Sequence, residues 1–288
     1  MKAGALSIFS ECEPVPDGSS LRQGDVIRPL ESDNDPWNGI AIVVTADCDL
    51  ARSKHAGRLT CVPVLPASTY LSFFYMPRRL ARTRETLGDQ LVSQMRKAQK
   101  AHLPEFSSPL TPERCRQWIL QSELAKIVSA LHLSAEEAAA FMPLAQSFRR
   151  ISDSVDSPLS KQCEAFSSTT EAMGKSAHST KERLIAELAS HLRDLPGDAM
   201  FLSSLMNGVE EGYVAYLRLL VGLNDRQVAT RAAQRSFQIT HERFTHLKSP
   251  YLYRLTQQLG AVFSAIGLPE EYEASRDGRA KQFLQELG

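Results

Sequence analysis

The sequence predicts an α+β fold, a small, strongly bent β-barrel carrying either a large helical insertion or a helical C-terminal body. Three observations point there. Gln23–Pro29, Gly39–Thr45 and Leu59–Leu65 are short runs rich in β-branched residues and separated by turn formers, the pattern of consecutive strands. The middle of the chain carries helix-start signals followed by apolar residues at helical spacing. Strand-like character then returns near Met200, with Phe201–Leu205 and Tyr213–Val221 flanking a connection that contains Asn207-Gly208, a helix through 213–221 being the competing reading.

Taken in order, residues 1–20 form a lead-in ending in the turn-rich Pro14-Val15-Pro16-Asp17-Gly18-Ser19-Ser20, and residues 21–75 hold the barrel strands. Residues 76–197 form the helical region. Within it a helix begins near Arg84, Thr111-Pro112 supplies an N-cap with proline at the first helical position, and Trp118, Ile119, Ala125, Val128 and Leu131 follow at helical spacing. Ser134-Ala135-Glu136-Glu137 reads as a capping box, opening a helix anchored by Phe141, Leu144, Ala145 and Phe148. Residues 152–181 are polar and weakly periodic, which predicts a partly helical, poorly packed or mobile connection. Residues 198–288 supply the late strand pair and C-terminal helices, and these strands could complete the barrel domain. Asp225–Ser236 reads as a helix, His241–Leu247 as a short element, and Ser249-Pro250 as the start of a helix that Gly267-Leu268-Pro269 stops. The last residues read as a tail with one further helical turn.

Composition excludes several classes. Lys plus Arg total 33 and Asp plus Glu total 33, so overall charge draws the chain to neither nucleic acid nor an anionic membrane, and a polyanion would need a local patch. Five cysteines (Cys12, Cys48, Cys61, Cys115, Cys163), widely spaced and without Cys-x-x-Cys, argue against a disulfide framework or zinc site and for reduced thiols in a cytoplasm. The N-terminal residues lack the pattern of a secretory leader. No apolar stretch approaches the roughly 18–20 residues that cross a bilayer. The expectation is a cytoplasmic protein without membrane insertion.

Gly24-Asp25-Val26-Ile27, then Ile40-Ala41-Ile42-Val43-Val44-Thr45, then Leu59-Thr60-Cys61-Val62-Pro63-Val64 resemble the opening of the PemK/MazF-like small barrel, an SH3-like fold. The resemblance is confined to this N-terminal part. It implies an RNA-cleaving arginine just before the second strand, where this chain has Trp37-Asn38-Gly39, and a hydroxyl after the third, for which Ser68 or Thr69 are the candidates. An intact ribonuclease centre is therefore not carried over. Thr45-Ala46-Asp47-Cys48-Asp49-Leu50, Gly212-Tyr213-Val214, Ser249-Pro250-Tyr251 and Gly267-Leu268-Pro269 together resemble uncharacterised bacterial proteins of phage-defence or mobile-element operons. That resemblance implies a context and a protein partner from the same operon, and no chemistry.

Candidate chemistry is sparse. Asp47 and Asp49 flank Cys48 where the second strand stops, and strand alternation would put both carboxylates on one face, able to share a proton or hold Mg²⁺. The plainer reading is a turn cap, a solvated acid and an ordinary cysteine. His241-Glu242-Arg243-Phe244-Thr245-His246 superficially matches a zinc-protease helix, but histidines five apart on a helix stand about 140° from one another and cannot share a metal. The remaining histidines, His55 among them, are isolated. No Gly-x-Ser-x-Gly elbow or phosphate-binding glycine loop occurs. Arg78, Arg79, Arg82, Arg84, Arg96, Lys97 and Lys100, preceded by Phe73-Phe74-Tyr75, form the one locally basic stretch and the candidate nucleic-acid contact.

These readings favour a non-catalytic interaction module, an accessory component of a bacterial phage-defence or mobile-element system without a cofactor. The alternative is a nucleic-acid-binding or nuclease-like protein that uses Asp47, Asp49 and the basic stretch, with Mg²⁺. Oligomeric state is not legible.

Overall fold

The computed structural model describes residues 10–31, 35–105, 108–174, 176–205, 212–231, 236, 238–264 and 270–286. In chain order the elements are β1 (Cys12–Glu13), β2 (Asp25–Pro29), β3 (Ile40–Val43), α1 (Asp47–Ala51), β4 (Arg58–Pro66), α2 (Ala67–Tyr70), α3 (Met76–His102), α4 (Pro112–Gln121), α5 (Leu124–Ala130), α6 (Ala135–Ser154), α7 (Leu159–Ala172) and α8 (Ala177–Arg193). They continue with β5 (Ala199–Leu202), β6 (Tyr213–Tyr216), β7 (Val221–Asn224), β8 (Val228–Ala229), β9 (His241–Leu247), α9 (Ser249–Ser264) and α10 (Glu270–Glu286). The fold is mixed α+β with a curled, mainly antiparallel half-barrel sheet. The chain divides into two compact units, Met1–Val64 with Leu195–Gly288, and Leu65–Asp194.

The first unit is built on one sheet in the order β1-β9-β2-β3-β4-β6-β5, with β7 also on β4 and β8 on β9. Early and late strands therefore share a single sheet, and β2 lies between β3 and β9. Side-chain alternation gives that sheet two apolar faces. Val26, Ile42, Val62, Met200, Leu202 and Ala215 pack on one face with Leu252 and Leu255 of α9. Ile27, Ala41, Val43, Leu59 and Cys61 pack on the other with Val228. Full burial of an aliphatic side chain such as Ile27 or Ile42 contributes about 1.5–3 kcal/mol. Gly24, in the turn just before β2, has φ +94°, and a Cβ there would lie 3.0 Å from Leu252 and 3.1 Å from His246, so glycine is favoured by both backbone and packing.

The three early strands form as expected. His241–Leu247, expected as a short element, is a seven-residue strand beside β2; its register slips by one residue between the partners of Val26 and Ile27, so His241, opposite Pro29, and His246, opposite Asp25, fall on the same side of the sheet. Several other elements differ. Tyr213–Val221 is not one strand, because the chain turns between β6 and β7. The helix expected over Asp225–Ser236 is only the 3-10 turn Asp225–Gln227 before β8, and residues 232–235 lie outside the described set, as do Asn207-Gly208 and Gly267-Leu268-Pro269. The expected terminal tail is the 17-residue helix α10.

In the second unit, Thr111 Oγ1 accepts from Arg114 N–H at 3.3 Å, and Ser134 and Glu137 form the capping box. Leu87, Leu91, Met95, Ile119, Ile127, Phe141 and Phe148 build its larger core. Residues 152–181 are not a loose connection. They contribute α7, whose Ala165 and Phe166 are buried with Met76, Leu80, Ile151 and Leu184. Polar residues on α7 hid this packing, since Thr169 and Thr170 are themselves buried with hydroxyls donating to the carbonyls of Ala165 and Phe166. The helix expected near Arg84 starts at Met76, after a π-helical turn, Leu71–Tyr75. Among the described residues no helix is long and apolar enough to cross a membrane.

Candidate functional site

The sequence nominates Asp47, Cys48 and Asp49, and the structure corrects their setting. The strand stops at Val43, and Asp47–Ala51 turn into a short helix rather than extending β3. Carboxylates at the first and third helical positions favour that choice, because the first turn has unpaired N–H groups that interact well with negative charge. Two residues apart on a helix is about 200° of rotation, so the two carboxylates diverge where strand alternation would have joined them. Asp47 Oδ1 accepts from Gln23 N–H at 2.7 Å. Asp49 Oδ1 lies 3.7 Å from the Cys48 thiol, which is exposed.

Asp47 does reach a cavity. A space of about 860 Å³ opens against the β8 residue Val228 and the loops beside β2, β4 and β7. Leu21, Leu50 and Val228 give it an apolar wall, and Arg22, Asp47, His55, Asp225 and Arg226 supply its ionisable groups. His55 belongs to the loop between α1 and β4, in which Ser53 (φ 52°) and Ala56 (φ 50°) adopt the left-handed conformation without being glycine. Such residues cost of order 1–3 kcal/mol each and persist only where surrounding contacts fix them.

The fixing contacts are at hand. His55 Nδ1 lies 3.2 Å from the Asp49 carbonyl, and Nε2 lies 3.0 Å from Asp225 Oδ2. Neither partner can donate, so both ring nitrogens must carry hydrogen, and only the imidazolium satisfies both bonds. The Asp225 carboxylate first, and the Asp49 carbonyl second, raise the His55 pKa above its ordinary value. A histidine held this way is a poor general base. Asp225 answers the positive ring with Oδ2, while its Oδ1 is buried with no hydrogen-bond partner.

A second ionic group lies inside the sheet. Asp25 is fully buried and accepts from Arg22 N–H (2.9 Å), Arg243 Nη1 (3.1 Å) and His246 Nδ1 (2.8 Å). Arg243 also donates to the carbonyls of Ser19 and Ser20, so this buried guanidinium fastens the segment before β2. Its geometry is structural.

The basic stretch lies along α3. Arg79 is engaged with Glu187 at 2.6 Å and sits over the Phe166 ring, and Arg96 donates to the Leu110 carbonyl at 2.7 Å. Arg78, Arg82, Arg84, Lys97 and Lys100 are exposed. By helical rotation Arg78, Arg82, Arg96 and Lys100 fall within about 40° of one another, but Glu85 and Asp89 fall on the same stripe. Asp89 itself pairs with Arg116 at 2.6 Å. Of the preceding aromatics, Phe74 packs on Tyr70 and Tyr75 on His191, leaving Phe73 half exposed.

The structure thus brings Asp47 together with Arg22, His55, Asp225 and Arg226 around one cavity, whereas Cys48 and Asp49, which contact each other, are not among its lining residues. Sequence reading missed His55 and Asp225 because they are 170 positions apart. Their local signals, a histidine among turn formers and an Asn-Asp turn, are ordinary. Among the described residues no group of three or more His, Cys, Asp or Glu side chains is placed to hold a metal ion. No family model, curated protein or solved structure matches the chain.

Proposed function

We propose that this protein is a non-catalytic interaction module, built on a degenerate PemK/MazF-like half-barrel and acting as an accessory component of a bacterial phage-defence or mobile-element system. One observation carries the reading. In the cavity holding Asp47, the groups best suited to proton transfer are engaged by the fold itself: both nitrogens of His55 face acceptors, Asp225 Oδ2 faces His55, and Asp47 Oδ1 accepts from Gln23 N–H. General acid–base work needs a group free to exchange a proton with a substrate at hydrogen-bond distance. The SH3-like and PemK-like identity of the barrel rests on the strand motifs of residues 24–65, and the operon context rests on the wider resemblance.

The test is RNA cleavage by the full chain, with and without Mg²⁺, comparing the parent with Asp47→Asn and Asp49→Asn. The expected result is no cleavage above background in any of them. Cleavage by the parent that disappears in either variant would overturn the reading.

A second reading is nucleic-acid binding through α3, favoured by the exposure of Arg78, Arg82, Arg84, Lys97 and Lys100 on one helix. It requires affinity that falls steeply between about 50 and 200 mM salt and that weakens when Arg82 and Lys100 are replaced by alanine.

A further inference from the structure

Among the described residues, the β7 edge of the half-barrel sheet carries no further strand. β7 is bonded to β4 on one side only. Asp225 N–H donates to the Gly57 carbonyl at 3.0 Å, continuing a register in which Leu59 faces Leu223 and Thr60 faces Gly222. Hydrogen-bonded pairs alternate along an antiparallel ladder, so Val221 and Leu223 exchange bonds with β4 while Gly222 directs its N–H and C=O away from it. The opposite side of Thr60 agrees, since its carbonyl accepts from Val44 N–H of the neighbouring chain segment at 2.8 Å. Among the described residues nothing bonds the Gly222 backbone on the outer side. The Asn224 N–H, next on the same edge, is already directed to Gln227 Oε1.

A cavity of about 700 Å³ runs along this edge, within the range of roughly 300–1,000 Å³ usual for clefts that hold ligands. Leu30, Ala41, Leu223 and Ile239 give it apolar surface alongside a nearly equal polar share, and Trp37, braced by Tyr216 at 5.4 Å between ring centroids, stands in its wall. A Cβ built on Gly222 would meet nothing within 4 Å, and its backbone is not left-handed, so neither crowding nor conformation requires glycine there. What glycine does supply on an edge is room for another backbone to approach. Glu31 is the one side chain of fixed charge among the described residues lining the cavity. His241, the other titratable group there, has its pKa lowered by burial.

We propose that an extended peptide segment of a protein partner, apolar at alternate positions and bearing a basic residue opposite Glu31, adds to the β7 edge as a further strand and lies in this cavity. A free backbone donor and acceptor on a strand edge are matched by another backbone, and pockets for alternate side chains then set the sequence preference. The acid at Glu31 disfavours a phosphate-bearing occupant. This inference rests on the interaction-module reading and names the class of partner.

The experiment is selection of a displayed random-heptapeptide library on the full-length protein, followed by binding measurements with the selected peptides. Enriched peptides are expected to alternate apolar residues, to contain Lys or Arg, and to protect the Gly222 amide from hydrogen exchange. Gly222→Pro removes the outward N–H and also fixes φ near about −65°, so it should weaken binding at least tenfold, read together with a circular-dichroism spectrum that reports whether the fold is kept. Glu31→Lys, an exposed change that covers the case in which the proline variant does not fold, should turn the selection toward acidic peptides. Absence of any enriched peptide, binding indifferent to Gly222→Pro, or an unaltered charge preference in Glu31→Lys would each overturn the edge-strand site. Loss of this site alone leaves the interaction-module reading standing, whereas RNA cleavage sensitive to Asp47→Asn removes that reading whatever the peptides do.

Discussion

His55 Nε2 lies 3.0 Å from Asp225 Oδ2, joining the loop before β4 to the turn after β7 across 170 positions of sequence. The ring also donates to the Asp49 carbonyl, so one side chain holds together α1, its following loop and the late part of the sheet.

This pair should make stability depend on pH in a defined direction. The folded His55 pKa is raised above its ordinary 6.5, so the folded state binds the proton more tightly than the unfolded chain. Its stabilisation is fully present below pH 6.5 and declines as pH rises through the folded value. Urea unfolding of the parent and of Asp225→Asn, followed from pH 5.5 to pH 9, is expected to show the parent's advantage shrinking toward the alkaline end. An advantage constant over that range would contradict the paired imidazolium.

Removing Asp25 should be far more damaging than removing an exposed acid. Arg243 is only 2% exposed at its side chain, and Asp25→Ala leaves its guanidinium without its carboxylate. Breaking one half of a buried pair costs about 3–5 kcal/mol. Denaturant unfolding is expected to show a loss of that size for Asp25→Ala, against less than about 0.5 kcal/mol for an exposed acid such as Glu270→Ala.

The cysteines should separate by reactivity. Burial pushes the thiols of Cys12 and Cys61 up to about 12, and raises those of Cys115 and Cys163 as well, whereas Cys48 is exposed. Titration with a thiol reagent at pH 8 is expected to give one fast group that vanishes in Cys48→Ser. Cys12, Cys61 and Cys115 should react only when the protein is unfolded.

Ser134→Ala should cost about 1 kcal/mol in the helical unit, since it removes the acceptor for the Glu137 N–H while the Glu137 carboxylate remains bonded to the Ser134 N–H. A double substitution with Glu137→Ala is expected to cost less than the sum of the two, because the bonds are reciprocal.

What the sequence reveals depends on whether the stabilising pattern is apolar. Val26, Ile27, Ile42, Val43 and Val62 declare strands because their burial is the hydrophobic kind. β9 is equally central yet reads His241-Glu242-Arg243-Phe244-Thr245-His246, since Arg243 and His246 are buried through Asp25 instead of through apolar contact. Helix caps at Thr111 and Ser134 are local and therefore legible. The acids of α1 were misplaced because Ala46-Asp47-Cys48-Asp49-Leu50 suits a strand end as well as a first helical turn. The cavity's ionic pair was out of reach, being created by the sheet's long-range register.

The position of β9 has a consequence for biosynthesis. Asp25 leaves the ribosome 218 residues before Arg243, an interval of roughly ten to forty seconds at elongation rates of about 5–20 residues per second. Throughout that interval a carboxylate destined for the interior has no guanidinium to meet, and β2 lacks one of its two neighbours. The 65–194 unit, with buried clusters of its own, is synthesised in full before β9 emerges. Pairing of β9 with β2 is then the step that gives Asp25 its guanidinium and closes this part of the sheet.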